Sequence, residues 1–335
     1  MTKVTYLFGA GASKNALPIV DEIPDRIKGL IYRLENDEFK LDDSTYYENL
    51  KISKTKRALQ LEMIESLKWM MKASANHASV DTFAKKLYIK ESYTELNRLK
   101  IALSVFFVFE QIINKTDLRY DTFFASLLSV PNEFPKNVRI LSWNYDSQFE
   151  LSFAEYSDNY SISHNQKRLR VNIKNGNYGS NIGFGIDKIN GTAGFYSDSG
   201  HSHYFYADDL SGVLDLTIID KVTRNYGAAS YVNKVSPSLS FSWEKEYYER
   251  NIVTSAIENI KDTVALVVIG YSFPFFNREV DREIIGSMTN LKRVYFQAPD
   301  AEVLKERFEA IRSDLEGVEL VVKHDVGQFL LPNEL

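Results

Sequence analysis

Three short turns in this sequence carry residues suited to holding a nucleotide. Gly9-Ala10-Gly11-Ala12-Ser13 follows the apolar run from Val4 to Phe8. Glycines two apart allow a sharp turn and let backbone N–H groups approach a phosphate. A helix starting there would add its partial positive charge. Lys14 stands where the dinucleotide fingerprint has its third glycine. Alone, the pattern therefore fits a plain strand-to-helix turn as well as a pyrophosphate cradle. Ser142-Trp143-Asn144-Tyr145-Asp146 and Gly270-Tyr271-Ser272-Phe273-Pro274 are the other two turns. Asn144 offers two donors and one acceptor, which suits a ribose diol or an oriented water. Asp146 can accept from a ribose hydroxyl, and Ser13 and Ser272 can donate to phosphate or ribose oxygens. The plainer reading makes Asn144 or Asp146 the cap of a following helix, Ser272 another cap and Pro274 a helix start.

The five histidines give no metal site. His201 and His203 would share one face of a strand, but no third ligand accompanies them. His77 and His324 sit at expected element ends. His164 lies in a polar loop before Lys167-Arg168-Leu169-Arg170, a solvated stretch. Carboxylates clustered at metal-site spacing are absent, so nuclease chemistry has little support.

The elements that must position these turns read as an α/β fold. Residues 4–8, 137–141 and 263–269 are strands, and the last is apolar throughout, as in a parallel sheet buried on both faces. Residues 56–72, with Leu59, Met63, Leu67 and Met70 at three- and four-residue steps, form an amphipathic helix. Further helices are expected over 25–34, 80–88, 95–113, 120–128, 147–155, 244–260, 278–288 and 301–311. The helix over 95–113 is apolar nearly all round and should be buried. Strands at 292–296 and 318–322 complete the alternation. Residues 156–242 are rich in Gly, Asn, Ser and Tyr, and patches at 169–173, 204–206 and 216–219 predict hairpins and loops. Alternating strands and helices imply right-handed crossovers. The expected fold is thus a Rossmann-like, doubly wound parallel sheet in a single domain spanning 1–335. Residues 1–34, 131–155 and 244–335 form its core, 35–130 a helical insertion and 156–243 a hairpin- and loop-rich insertion. All three turns then follow carboxyl ends of strands and fall on one sheet edge, where ligands bind in open α/β sheets.

Composition narrows the class. The chain has 335 residues, no cysteine and a net charge of −5. Disulfides, thiolate nucleophiles and cysteine zinc sites are excluded. An acidic balance argues against a dedicated nucleic-acid binder. No secretory leader opens the sequence and no apolar run is long enough to span a bilayer, so a cytoplasmic soluble protein is expected.

With these motifs in hand, the chain resembles the bacterial sirtuin-like domains. The resemblance rests on Gly9–Ser13, Ser142–Asp146 and Gly270–Pro274. Leu17-Pro18 resembles the family's cofactor-loop segment, Ser79-Val-Asp-Thr-Phe83 a recurrent helix start, and Asp281 falls where the family often has Asp. The resemblance runs from about residue 4 to 325 and implies a sheet that binds NAD as substrate and cleaves its nicotinamide–ribose bond. It implies a cofactor set of Gly9, Ala10, Gly11, Ala12, Ser13, Leu17, Pro18, Ser142, Asn144, Gly270, Tyr271 and Ser272. Classical sirtuins are deacylases with a four-cysteine zinc ribbon, which cannot exist here. The nearer relatives implied are anti-phage NADases that deplete cellular NAD and assemble as homo-oligomers. With the sheet complete at Val322 no fused sensor domain is expected, so the trigger would be a separate protein, first of all a HerA-like ATPase. Nucleic acid would then enter only through that partner. One position departs from the pattern. The family's Lys-Leu-His-Gly motif aligns with Lys188-Ile189-Asn190-Gly191, putting Asn190 where the catalytic base stands. Asn190-Gly191 also reads as a simple hairpin turn. Taken with the resemblance, Asn190 implies a binding-only module, or a base recruited from His164, His201 or His203. The catalytic set is then Asn144 placing the water, Asp146 stabilising positive charge, and Asn190.

Overall fold

The computed structural model describes residues 3–130, 133–173, 183–197, 202–204, 213–232, 235–244 and 251–335. The chain divides into two compact units. The first comprises Met1–Asn15, Thr116–Gly191 and Phe241–Leu335, and the second Ala16–Lys115 and Thr192–Ser240.

In chain order the described elements begin with β1 (Val4–Phe8) and helices α1 (Ile23–Leu34), α2 (Tyr47–Leu50), α3 (Lys56–Ala75), α4 (Val80–Ile89), α5 (Tyr93–Ile113) and α6 (Leu118–Leu127). There follow β2 (Val138–Ser142), α7 (Gln148–Ser157), α8 (Ile162–Leu169), β3 (Val171–Asn172), β4 (Ile186–Lys188), β5 (Gly191–Ser197), β6 (Ser202–Tyr204), α9 (Leu216–Tyr231) and β7 (Val235–Leu239). The last stretch holds α10 (Ile252–Ile260), β8 (Ala265–Ile269), α11 (Arg278–Gly286), β9 (Arg293–Gln297), α12 (Ala301–Ile311) and β10 (Glu319–Lys323).

The first unit is a Rossmann-like α/β layer structure. Its seven strands run in the order β10-β9-β8-β1-β2-β4-β3, and every pairing is parallel. β1, β2 and β8 are buried along their whole length. Strand alternation sends successive side chains to opposite faces. Leu7, Leu141, Leu266, Val268, Val294 and Phe296 meet α10, α11 and α12 on one face through Ala256, Ile284 and Phe308. Tyr6, Phe8, Ile140, Val267 and Tyr295 meet Tyr120 and Phe123 of α6 and Phe149 and Phe153 of α7 on the other. The sheet is therefore doubly wound. β1 leads toward α6 on one face while its neighbour β8 leads to α11 on the other. That divergence of adjacent strands is a topological switch point, the place where open α/β sheets bind ligands.

The second unit is mainly helical. α3 packs on α1, α5 and α9. α5 is buried from Ile101 to Ile112, as its near-continuous apolar sequence predicts. A three-stranded sheet of order β6-β5-β7 completes this unit's described elements.

Several regions differ from the sequence-based expectation: β3 and β4, from the segment read as a hairpin insertion, join the main sheet, and the helix expected from 244 begins at Ile252. The patch at 216–219 is the first turn of helix α9, whose Asp215 carboxylate accepts from the Ile218 N–H at 2.8 Å. Ile218, Ile219, Val222 and Tyr226 are buried at helical spacing. Residues 162–169 form helix α8, which places His164 at an exposed helix position rather than in a loop. α8 buries Asn165 and Gln166 beside Ile162 and Leu169, so its inner face is half polar and leaves no clean apolar period. His201, residues 205–206 and the side chain of His203 lie outside the described residues. Among the described residues, no helix is long and apolar enough to cross a membrane.

Candidate functional site

Four neighbouring strands end level. Phe8 of β1 is in register with Ile269 of β8 and with Ser142 of β2, and Ser142 is in register with Lys188 of β4. The residues that follow are Gly270, Gly9, Trp143 and Ile189. The three turns singled out from the sequence and the Asn190 turn thus leave one sheet edge side by side.

The β1 and β8 turns interlock through their backbones. The Gly9 N–H donates to Ile269 O at 3.0 Å, and the Gly11 N–H to Gly270 O at 3.0 Å. A Cβ on Gly9 would lie 2.5 Å from Tyr271 Cα, and one on Gly270 2.4 Å from the Ala12 nitrogen. Gly270 also takes φ +61°, which glycine alone adopts freely. Close approach of two protein backbones is what these glycines permit. The same contacts bear on the expected phosphate cradle in two respects. The N–H groups of Gly9, Gly11 and Ala12 are committed inside the protein, Ala12 donating to Gly9 O at 2.9 Å. No α-helix follows either, because the chain makes a single 3-10 turn, Ala10–Ser13, and Pro18 lies too close ahead for a longer helix. Ala10 is exposed and Gly11 half-buried, so the outer surface of the turn faces solvent.

The turn is held from its carbonyl side by two residues that no motif had marked. Arg119 Nη2 donates to Ala12 O at 2.9 Å and to Gly11 O at 3.4 Å, and Nη1 to Val326 O at 3.2 Å. Asp117 pairs with the same guanidinium at 2.6 Å and accepts from the Asn15 N–H at 3.3 Å. Burial works to raise the Asp117 carboxyl, but its hydrogen bonds to Arg119 outweigh that and hold it below the usual range. A buried Asp-x-Arg ahead of an apolar helix is the only sequence signal for this clamp.

Ser13 joins the β1 turn to the β2 turn. Its hydroxyl donates to Asp146 Oδ2 at 2.7 Å, receives Asn144 Nδ2 at 3.3 Å and lies 2.8 Å from the Tyr120 hydroxyl. The Asn144 N–H donates to Ser142 Oγ at 3.2 Å. Asp146 Oδ1 accepts from the Gln148 N–H at 3.1 Å, so this carboxylate also starts α7. The plainer reading of Asp146 thus holds at the start of α7, whereas Asn144 makes no cap. Burial pushes the Asp146 carboxyl up, against the charge of Lys188 and the bonds from Ser13 and Gln148.

Lys188 closes the β4 side. Its ammonium donates to Asp146 O at 2.6 Å and to Glu150 Oε1 at 2.7 Å. The pair is fully buried, with side chains 1% and 0% exposed. Gln166 of α8 adds a bond to the same Glu150 oxygen at 3.1 Å. Asn190 is buried. Its Nδ2 donates to Trp143 O at 3.3 Å and its Oδ1 accepts from the Ser242 N–H at 3.1 Å. The Asn190-Gly191 turn, with Gly191 at φ +70°, does not make a hairpin, because β4 pairs with β2 and β3 while β5 pairs antiparallel with β6. Trp143 Nε1 and Ser242 Oγ, on the two residues that hold Asn190, are buried with no hydrogen-bond partner among the described residues.

In the β8 turn, Tyr271 stacks on Trp143 at 5.2 Å and nearly parallel, and donates to Asp281 of α11 at 2.9 Å. Burial pushes the Asp281 carboxyl up to about 8, against that bond. Phe273 sits at φ +49°, an uncommon conformation for so bulky a residue. Ser272 is exposed and its carbonyl accepts from Arg307 at 2.6 Å. Leu17 and Pro18 fall in the second unit and are buried there. The remaining histidines bond locally, His77 to Ala73 O and His324 to Glu302. Among the described residues, no group of three or more His, Asp or Glu could hold a metal ion.

No family model and no curated protein sequence matches the chain. Solved structures do. A Sir2 protein in complex with an inhibitor, 2′-O-acetyl-ADP-ribose and a deacetylated peptide matches at 11% identity and TM-score 0.35, over 94% of this chain and 93% of that one. A structure describing sirtuin substrate affinity matches at 12% identity and TM-score 0.34, over 88% and 82%. A Sir2 protein bound to a propionylated peptide matches at 10% identity and TM-score 0.32, over 88% and 80%.

Proposed function

We propose that this chain is an NAD+ glycohydrolase that cleaves the nicotinamide–ribose bond at the carboxyl ends of β8, β1, β2 and β4. The observation that supports it most is the Ser13–Asn144–Asp146 network at the switch point, together with two buried donors, Trp143 Nε1 and Ser242 Oγ, that have no partner among the described residues. Unsatisfied buried donors are costly, and acceptor-rich ribose or phosphate oxygens would satisfy them. The residues present thus suit NAD as substrate. Asn144, oriented by Ser13, would place the attacking water, and Asp146 would lend negative charge to an oxocarbenium-like ribose. Lys188 and Glu150 fix Asp146 from behind.

The reaction tolerates the amide at position 190. Nicotinamide leaves as a neutral group, and a positioned base contributes only about 10²–10⁴-fold. Turnover is expected to be slow in the isolated chain and faster in an assembly. In a cell this activity would deplete NAD as an anti-phage effector, within a homo-oligomer activated by a separate HerA-like ATPase.

A second reading is favoured by Asn190 itself. Both ends of its side chain are engaged by the protein, and an amide accepts no proton. The chain would then hold NAD or ADP-ribose without cutting it and so regulate a partner. One experiment separates the two: incubate NAD with the purified chain, alone and with the product of the neighbouring gene, and follow nicotinamide and melting temperature. Nicotinamide release supports cleavage. A raised melting temperature with NAD intact supports the binding module and sinks the hydrolase.

A further inference from the structure

The two outer strands of the seven-stranded sheet are unlike. β3 is only two residues long and offers almost no free edge. Short edge strands are a common way to block strand addition. β10 runs for five residues and pairs only with β9 among the described residues. The Glu319 N–H donates to Lys292 O, and the Lys323 carbonyl accepts from the Ala298 N–H. Residues 319, 321 and 323 therefore address β9. By the alternation of a strand, the N–H and C=O groups of Leu320 and Val322 point away from the sheet. Glu319 and Lys323 are exposed and the three residues between them half-buried; Glu319 Oε2 is held by Arg293 of β9 at 2.6 Å, which leaves its other carboxylate oxygen for a cation across the edge.

This edge is self-complementary. Set antiparallel against itself about Val321, Glu319-Leu-Val-Val-Lys323 places Glu319 of one copy opposite Lys323 of the other, at both ends. Leu320 then faces Val322. These two carry the outward N–H and C=O groups, so they form the hydrogen-bonded pairs, and Val321 meets its own copy in the closer non-hydrogen-bonded position. The neighbouring registers lose both charge pairs. One sets Glu319 against Asp325, and the other leaves Lys323 opposite Gly317.

We propose that β10 is the docking surface for a second copy of this chain, joined edge to edge about a two-fold axis through Val321 into one continuous sheet. Such a contact is isologous, so it closes on itself and removes the free edge without building a fibre. The proposal does not depend on what the site at the strand ends does.

Light scattering on the full chain tests it. The expected wild-type mass is that of an even number of copies. Lys323→Glu sets like charges opposite each other and halves that mass, and adding Glu319→Lys restores it. Val322→Pro removes an outward N–H while keeping the bonds to β9, and also halves the mass, with circular dichroism confirming the fold. A monomeric wild type, a Lys323→Glu chain of unchanged order, a double variant that stays halved or a folded Val322→Pro chain of full order overturns the proposal.

Discussion

The carboxyl ends of β1 and β8 are locked backbone against backbone, whereas those of β2 and β4 are held by buried side chains that carry charge. At Gly9, Gly11 and Gly270 there is no room for a Cβ. At Asp146, Lys188 and Glu150 the geometry depends on ion pairing and hydrogen bonds. The first pair of turns is fixed against each other by sterics, which no compensating substitution restores, with the Arg119 guanidinium bracing the β1 turn from behind. The second is fixed by electrostatics, which a matched neutral set can replace. The two halves of the site should therefore fail in different ways.

The largest effect is expected at Gly270. Gly270→Ala drives a Cβ into the Ala12 backbone and strains φ. Loss of more than about 4 kcal/mol, or failure to fold, should be seen in urea denaturation. Lys188→Met comes next. It leaves Glu150 buried without its cation and should cost about 3–5 kcal/mol. The double variant Lys188→Met/Glu150→Leu should recover most of that loss, because a buried ion pair and an apolar pair are often of similar stability. A double variant no more stable than the single one would show that charge pairing is not what holds this side. Ser13→Ala is smaller. It strips a hydrogen bond from Asp146 and another from Asn144, at about 1–3 kcal/mol.

Asp281 differs in kind, because its effect vanishes in acid. A carboxyl raised on folding carries no cost below about pH 4, where both states are protonated. The cost grows as pH rises and is complete above the folded value of about 8. Asp281→Asn should therefore match the wild type near pH 4 and exceed it in stability at pH 8. Parallel stability–pH curves for the two proteins would contradict this burial effect.

The strands and turns of the site were legible because they are apolar runs ending in small or polar residues. β1, β2 and β8 read directly from Val4–Phe8, Val138–Ser142 and Ala265–Ile269. β4 was not legible, since Asp187 and Lys188 make two of its three residues charged although all three are buried. α8 hid for the same reason, its inner face carrying Asn165 and Gln166. α9 was hidden by the β-branched run at 217–219, although Asp215 marks its start. The Asp117–Arg119 clamp left only the Asp-x-Arg spacing as a signal, because its partners are backbone carbonyls of Gly11, Ala12 and Val326, remote in sequence. Buried polar groups act through geometry, and hydrophobic periodicity does not register them.

The most direct measurement is nicotinamide release from NAD by the wild type and by Asn144→Ala, each in its most active assembly and at matched folded concentration. The account predicts release by the wild type and none above background from the variant, with the melting temperature little changed. Equal release by the two proteins would contradict it.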